Sequence, residues 1–119
     1  KRVPLSADVA LLYNQSRVVV CASTAEGGPR FVVEAMACGI PAVSTSVGLM
    51  KELIIDNENG FLISPWSFDQ IAEKILAIIA NGHSYGRYSE NALRSVARFD
   101  YAQGITNYAH AYHELLSSL

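Results

Sequence analysis

STAEGGPRFVVEAMACGIPAVST, residues 23–45, decides the reading of this chain. It divides into a strand end, a glycine turn, a short helix, a proline turn and a second strand. The apolar run at residues 18–22 is continuous rather than alternating, as in a strand buried on both faces of a parallel sheet. Glu26-Gly27-Gly28 makes a turn in which two residues lack a Cβ, so positive φ and close approach of a ligand are both open there. Pro29 is predicted at the first helical position, where its fixed φ is helical and its missing N–H costs nothing. The helix is expected over residues 29–38. Phe31, Val32, Val33, Ala35, Met36, Ala37 and Cys38 make it apolar nearly all round, which predicts packing on most sides.

Glu34 is the one carboxylate of that helix, and a carboxylate there is costly unless it is paired, hydrogen-bonded or reaching a ligand. Two readings stay open. One is an ion pair with Arg30, four residues earlier, although that order sets the cation nearer the helix N-terminus, against the dipole. The other is a site for an anionic ligand, because a helix N-terminus offers unpaired N–H groups and a positive dipole end to a phosphate. Glu34 lies about five residues into the helix, roughly 7–8 Å along its axis. That is the reach from a diphosphate to the hydroxyls of its ribose. Glu26 stands in the loop on the other side, where a sugar beyond the diphosphate would lie. The two carboxylates bracket an anion site and point to hydroxyls at both ends of a nucleotide sugar.

Composition bounds the alternatives. The chain has 119 residues, enough for one domain, with 50% hydrophobic and 17% charged residues, so it is expected to be globular. A formal net charge of -2 gives no basic footprint for nucleic acid. No apolar run approaches the roughly 20 residues that span a bilayer, and no signal peptide opens the chain. Cys21 and Cys38 sit in apolar surroundings without a CxxC partner and read as buried, reduced thiols. No G-x-G-x-x-G follows any strand, which disfavours a dehydrogenase.

Residues 1–5 are read as a short strand remnant broken by Pro4. Ser6 is expected to cap a helix over residues 7–14, with Val9, Leu11 and Leu12 on its buried side and Tyr13 in a packing role. A second strand is predicted over residues 42–45, a loop over 44–48, a short helix over 49–54 and a third strand over 61–63. The turn formers at residues 56–60 read as a solvated turn. Trp66 is expected to cover the sheet edge. Ser67-Phe68-Asp69-Gln70 has a capping-box pattern, and Ile71, Ile75, Ile78 and Ile79 recur on one face up to a stop at Asn81-Gly82. Another helix is predicted over residues 85–98. Asp100-Tyr101-Ala102-Gln103 is a second capping box, opening an amphipathic helix to residue 116 through Ile105, Tyr108, Tyr112 and Leu115. His110 and His113 beside Glu114 have no third ligand in a motif context, so no metal site is assigned; His83 carries no signal.

Glu26 and Glu34, with seven residues between them and Ala35 to Pro41 following, resemble the E-x7-E signature of retaining GT-B glycosyltransferases of the family 4 type. The resemblance continues through Val47-Gly48, Glu52, Asn59-Gly60-Phe61-Leu62 and Phe99-Asp100-Tyr101, so it covers nearly the whole chain, and Tyr13 resembles the family's tyrosine before the first strand. It implies a Rossmann-like α/β fold of three layers, with a small parallel sheet of about 3–4 strands and a helical C-terminal segment. It implies that Glu26 accepts hydrogen bonds from the donor sugar and serves as the catalytic residue. Gly27, Gly28, Arg30 and Phe31 would face the sugar and its diphosphate, the last three through backbone N–H groups. Glu34 would take the ribose hydroxyls. No cofactor or metal is implied beyond the nucleotide-diphospho-sugar donor.

Departures from the family are informative. Members often read EGFG where this chain has Glu26-Gly27-Gly28-Pro29, and Pro29 removes an N–H that would point toward the donor sugar. The family's C-terminal domain normally begins with further strands, a glycine turn and an Arg/Lys pair, which Lys1-Arg2 do not match. Residues 1–119 are therefore expected to be one partial domain of a longer enzyme whose N-terminal acceptor domain is a further partner, inactive by itself. A cytoplasmic location follows from the resemblance, with peripheral contact at the inner face of a membrane through that other domain. The alternatives are a sugar-nucleotide epimerase or phosphorylase on the same fold, and a non-catalytic nucleotide-sugar binding module.

Overall fold

Three short apolar runs, each followed by turn formers, become three parallel strands. The computed structural model describes residues 6–97 and 113–118. Its elements in order are α1 (Ser6–Asn14), β1 (Val19–Cys21), α2 (Arg30–Ala37), β2 (Ala42–Thr45), α3 (Met50–Leu53), β3 (Gly60–Ile63), α4 (Phe68–Ile79) and α5 (Gly82–Val96). The sheet has the order β1-β2-β3. Val19 pairs with Ala42 and Cys21 with Ser44, while Val43 pairs with Phe61 and Thr45 with Ile63. Every residue of β2 is buried, as the central strand requires.

Helices cover both faces, giving three layers. On one face Cys21 and Ala42 pack with Val32 and Met36 of α2, Met50 and Leu53 of α3, and Ala92 and Val96 of α5. On the other, Val43, Phe61 and Ile63 pack with Ile78 of α4 and Tyr88 of α5. Burial of a side chain such as Met36 or Ile78 stabilises the fold by about 1.5–3 kcal/mol. The alternation along β3 that sends Phe61 and Ile63 to one side is the period of two that a strand imposes. The expected small parallel α/β sheet is the observed one.

Details differ where a distant element decides them. Leu11 and Leu12, expected on the buried side of α1, are exposed. Tyr13 does more than pack, since its hydroxyl bonds to a side chain on α2. Pro29 stands one residue outside α2, as its N-cap. Ser67 makes no side-chain cap on α4; Gln70 Oε1 instead accepts from Ser64 N–H at 2.9 Å, one turn further back than a capping box reaches. α4 stops before Asn81-Gly82 as expected, but the same pair also starts α5, three residues earlier than the expected residue 85: Asn81 caps it by accepting from the N–H groups of His83 and Ser84. Trp66 does not cover the sheet edge. It is 77% exposed, at φ +64° in the loop after β3.

The segment at residues 56–60, read as solvated, is tied to α5. Asn59 is buried; its Oδ1 accepts from Ile55 N–H at 2.8 Å, and its Nδ2 donates to Leu53 O at 2.9 Å and Ser95 Oγ at 2.6 Å. Tyr88 Oη donates to Asn57 Oδ1 at 2.6 Å, and Asn91 Nδ2 donates to Glu58 O at 3.0 Å. Among the described residues no helix is long and apolar enough to cross a membrane. Residues 113–117 are helical and carry His113 and Glu114. The expected strand remnant at residues 1–5, the second capping box, His110, Ile105, Tyr108 and Tyr112 lie outside the described residues.

Candidate functional site

The loop between β1 and α2 lies at the C-terminal edge of the sheet, where ligands of open α/β sheets bind. Its path is set from β2. Thr45 Oγ1, buried at the end of β2, donates to Ser23 O at 2.5 Å and so holds the start of the loop. Glu26 is exposed, with Oε1 accepting from Ser23 Oγ at 3.3 Å. The loop after β2 closes against the same turn at Gly48, which takes φ +47°; a Cβ there would fall 2.1 Å from Gly27 O. Neither Gly27 nor Gly28 takes positive φ, so the conformational freedom expected of that pair is used at Gly48 instead.

Helix α2 starts uncapped. Pro29 is buried, with φ -64° and ψ 101°, and no side chain caps the first turn. Among the described residues nothing accepts from the backbone N–H groups of Gly28, Arg30 or Phe31. Three donors at the start of α2 are therefore without an acceptor there, at the positive end of the helix dipole. Phe31 is 41% exposed beside them.

The far end of α2 is closed. Gly39, at φ +76°, donates to Met36 O, and Ile40 N–H donates to Ala35 O, the paired bonds of a Schellman turn. Val32, Ala35 and Met36 are buried, but Phe31, Ala37 and Cys38 are exposed. The expected all-round packing is thus corrected: the sheet and α5 cover only part of the helix. Cys38, expected to be buried, is an exposed thiol, whereas Cys21 is buried.

Glu34 is held by two donors. Arg30 Nε bonds Oε1 at 2.9 Å, and Tyr13 Oη bonds Oε2 at 3.1 Å. The Arg30 side chain is 90% exposed, so this ion pair contributes at most about 1 kcal/mol. Burial raises the Tyr13 phenol above its ordinary value, and the Glu34 carboxylate beside it adds to the effect. The structure therefore brings Glu26, Gly27, Gly28, Arg30 and Phe31 to one edge, with Glu34 one helical turn further along. Sequence reasoning missed the roles of Thr45, Gly48 and the hydroxyl of Tyr13. Gly48 stood among the landmarks of the resemblance without a role, and Tyr13 was assigned to packing.

Comparison with known proteins places the chain in a family. The family described as "Glycosyl transferases group 1" matches residues 1–95. An uncharacterized glycosyltransferase of Methanocaldococcus jannaschii is 31% identical over 108 residues, covering 91% of this chain and 31% of its own length. The chain thus spans under a third of that relative. The C-terminal domain of a glycosyl transferase group 1 protein, LpcC of Francisella tularensis, superposes with a TM-score of 0.73 at 32% identity, covering 81% of this chain and 49% of that one. Anabaena HepE, solved in complex with UDP-glucose, superposes with a TM-score of 0.78 at 30% identity, covering 98% of this chain and 32% of its own. With the open helix start between two glutamates at the sheet edge, these matches identify the chain as a member of the glycosyl transferases group 1 family, with the fold of a GT-B C-terminal domain.

Proposed function

We propose that these residues bind the nucleotide-diphospho-sugar donor of a family 4 type glycosyltransferase, which moves a hexosyl group to an acceptor hydroxyl with retention at the anomeric carbon. The observation that carries this reading is the uncapped start of α2 between Glu26 and Glu34. The N–H groups of Gly28, Arg30 and Phe31 take the diphosphate and stabilise the charge that grows on it as it leaves. Gly27 lets the donor sugar approach, and Glu26 accepts from its hydroxyls as the catalytic residue. Glu34 accepts from the ribose hydroxyls. The resemblance to GT-B glycosyltransferases makes metal-independent transfer the expectation. The UDP and UDP-glucose complexes of Anabaena HepE support a nucleotide sugar as ligand and make UDP the first probe.

The chain is read as one partial domain whose acceptor domain lies elsewhere in the same protein, acting in the cytoplasm with peripheral contact at the inner face of a membrane. Helix-terminus electrostatics contribute only about 0.3–1 kcal/mol at exposed sites. These 119 residues alone are therefore expected to bind nucleotide weakly and to transfer no sugar.

The two glutamates give separable tests in the whole protein that carries this chain. Glu34→Ala should weaken UDP by ~1.5–3 kcal/mol, the scale of hydrogen bonds to a charged group, with the fold intact. Unchanged affinity by calorimetric titration would make Glu34 a structural partner of Arg30. Glu26→Gln should lower nucleotide-sugar turnover more than it lowers binding of bare UDP. Equal losses for both would remove Glu26 from the sugar end.

A further inference from the structure

We infer that Tyr13 is a positioning residue for Glu34, holding the carboxylate in the orientation that accepts the ribose hydroxyls. The inference rests on the donor-site reading above. Tyr13 lies in the last turn of α1, 21 residues before Glu34, and reaches across to α2 to donate to Oε2 at 3.1 Å. Arg30 donates to Oε1 at 2.9 Å from the same helix.

These partners are unequal. The Arg30 guanidinium stands in water on a long stem, and an exposed pair of this kind exchanges readily for hydration. Tyr13 is half-buried, with two side-chain torsions to fix rather than four, so its hydroxyl defines a direction in space. The raised phenol keeps the proton that makes Tyr13 a donor at neutral pH. A carboxylate offers about four acceptor positions, of which these two bonds take one on each oxygen. Both oxygens thus keep an acceptor position for a ribose diol, whose neighbouring hydroxyls need the carboxylate plane set before they arrive. A plane set in advance removes an ordering cost from binding. Among the described residues the Tyr13 hydroxyl bonds to Glu34 alone, so its effect is expected at the ribose end.

The test is calorimetric titration of the whole protein with UDP, GDP and ADP, each compared with its 2′,3′-dideoxy analogue. The variants are Tyr13→Phe, Glu34→Ala and the double variant. Tyr13→Phe should weaken the ribonucleotide about 3- to 10-fold, the range of one net hydrogen bond. It should leave the dideoxy analogue unchanged, and it should add no loss in the Glu34→Ala background. The analogue also reports whether each variant keeps an intact site. Loss in Glu34→Ala with none in Tyr13→Phe overturns the positioning role alone. Equal loss of ribonucleotide and analogue in Tyr13→Phe makes the tyrosine structural and overturns it too. No preference of the native protein for ribonucleotide over analogue, or no binding of any nucleotide, overturns the ribose reading and this inference with it.

Discussion

Gly48 is the residue on which the shape of the sheet edge depends most directly. Its φ of +47° and the 2.1 Å separation of a built Cβ from Gly27 O leave no room for a side chain. Gly48→Ala must either unfold the loop after β2 or push back the turn that carries Glu26. We expect a loss of about 2 kcal/mol or more, from strain at positive φ added to overlap with backbone. Gly86 is the contrast. It is exposed within α5 with nothing within 4 Å of a built Cβ, so Gly86→Ala should stabilise by about 0.5–1 kcal/mol. Urea denaturation of both variants checks the pair, and similar midpoints would discount the close approach at Gly48. Which glycine bears the strain was not legible in the sequence. Gly27, Gly28 and Gly48 all come after strand ends, and only the meeting of two loops distinguishes them.

Among the elements, α5 does the most that the sequence conceals. It contributes Tyr88 to one core and Ala92 and Val96 to the other, and it binds the loop before β3 through Tyr88, Asn91 and Ser95. Asn59→Ala would remove three hydrogen bonds at that junction and strand the polar groups they satisfy. A loss of about 2–4 kcal/mol is expected, at about 1–3 kcal/mol per buried group left without a partner. Thermal and urea unfolding measure it; a change under about 1 kcal/mol would mean that water replaces Asn59 at about equal free energy. The strands and α2 were legible because local signals suffice for them: apolar runs, the glycine turn and Pro29 at the helix start. The start of α5 was not, because Asn-Gly ends one helix as readily as Asn begins the next. Burial of Asn59 and exposure of Phe31 and Cys38 depend on what packs from distant parts of the chain, and no local pattern carries that. The glutamate spacing and the helix start of the candidate site were read from the sequence, whereas the tie from α1 to Glu34 was not.

For the whole molecule, the distribution of apolar surface makes a prediction about the 119-residue chain in solution. Trp66 is 77% exposed and Phe68 72%, and Leu76 and Leu11 are exposed as well. Phe68 and Leu76 lie eight residues apart on α4, on one face at helical spacing. In the described sheet β1 is an edge strand whose Val19 and Val20 are only partly buried. Exposed apolar faces and open strand edges both favour association. The isolated chain is expected to self-associate at moderate concentration, and the double variant Phe68→Glu, Leu76→Lys to do so less. Sedimentation velocity reads both, and a monodisperse native chain would set the idea aside.

Helix α2 begins just after its N-cap Pro29 and ends in the turn at Gly39. Each residue inserted between them would rotate the remainder of the helix by about 100° and advance it by about 1.5 Å. One extra residue between Arg30 and Glu34 would swing the carboxylate roughly a quarter of the way around the axis, out of reach of Tyr13. Restoring its bearing would take about three more, completing roughly a turn, and would leave it about 6 Å too far along. The spacing from Arg30 to Glu34 is thus an angular setting as well as a length. A change of one residue in either direction should be harder to accommodate than most substitutions within it.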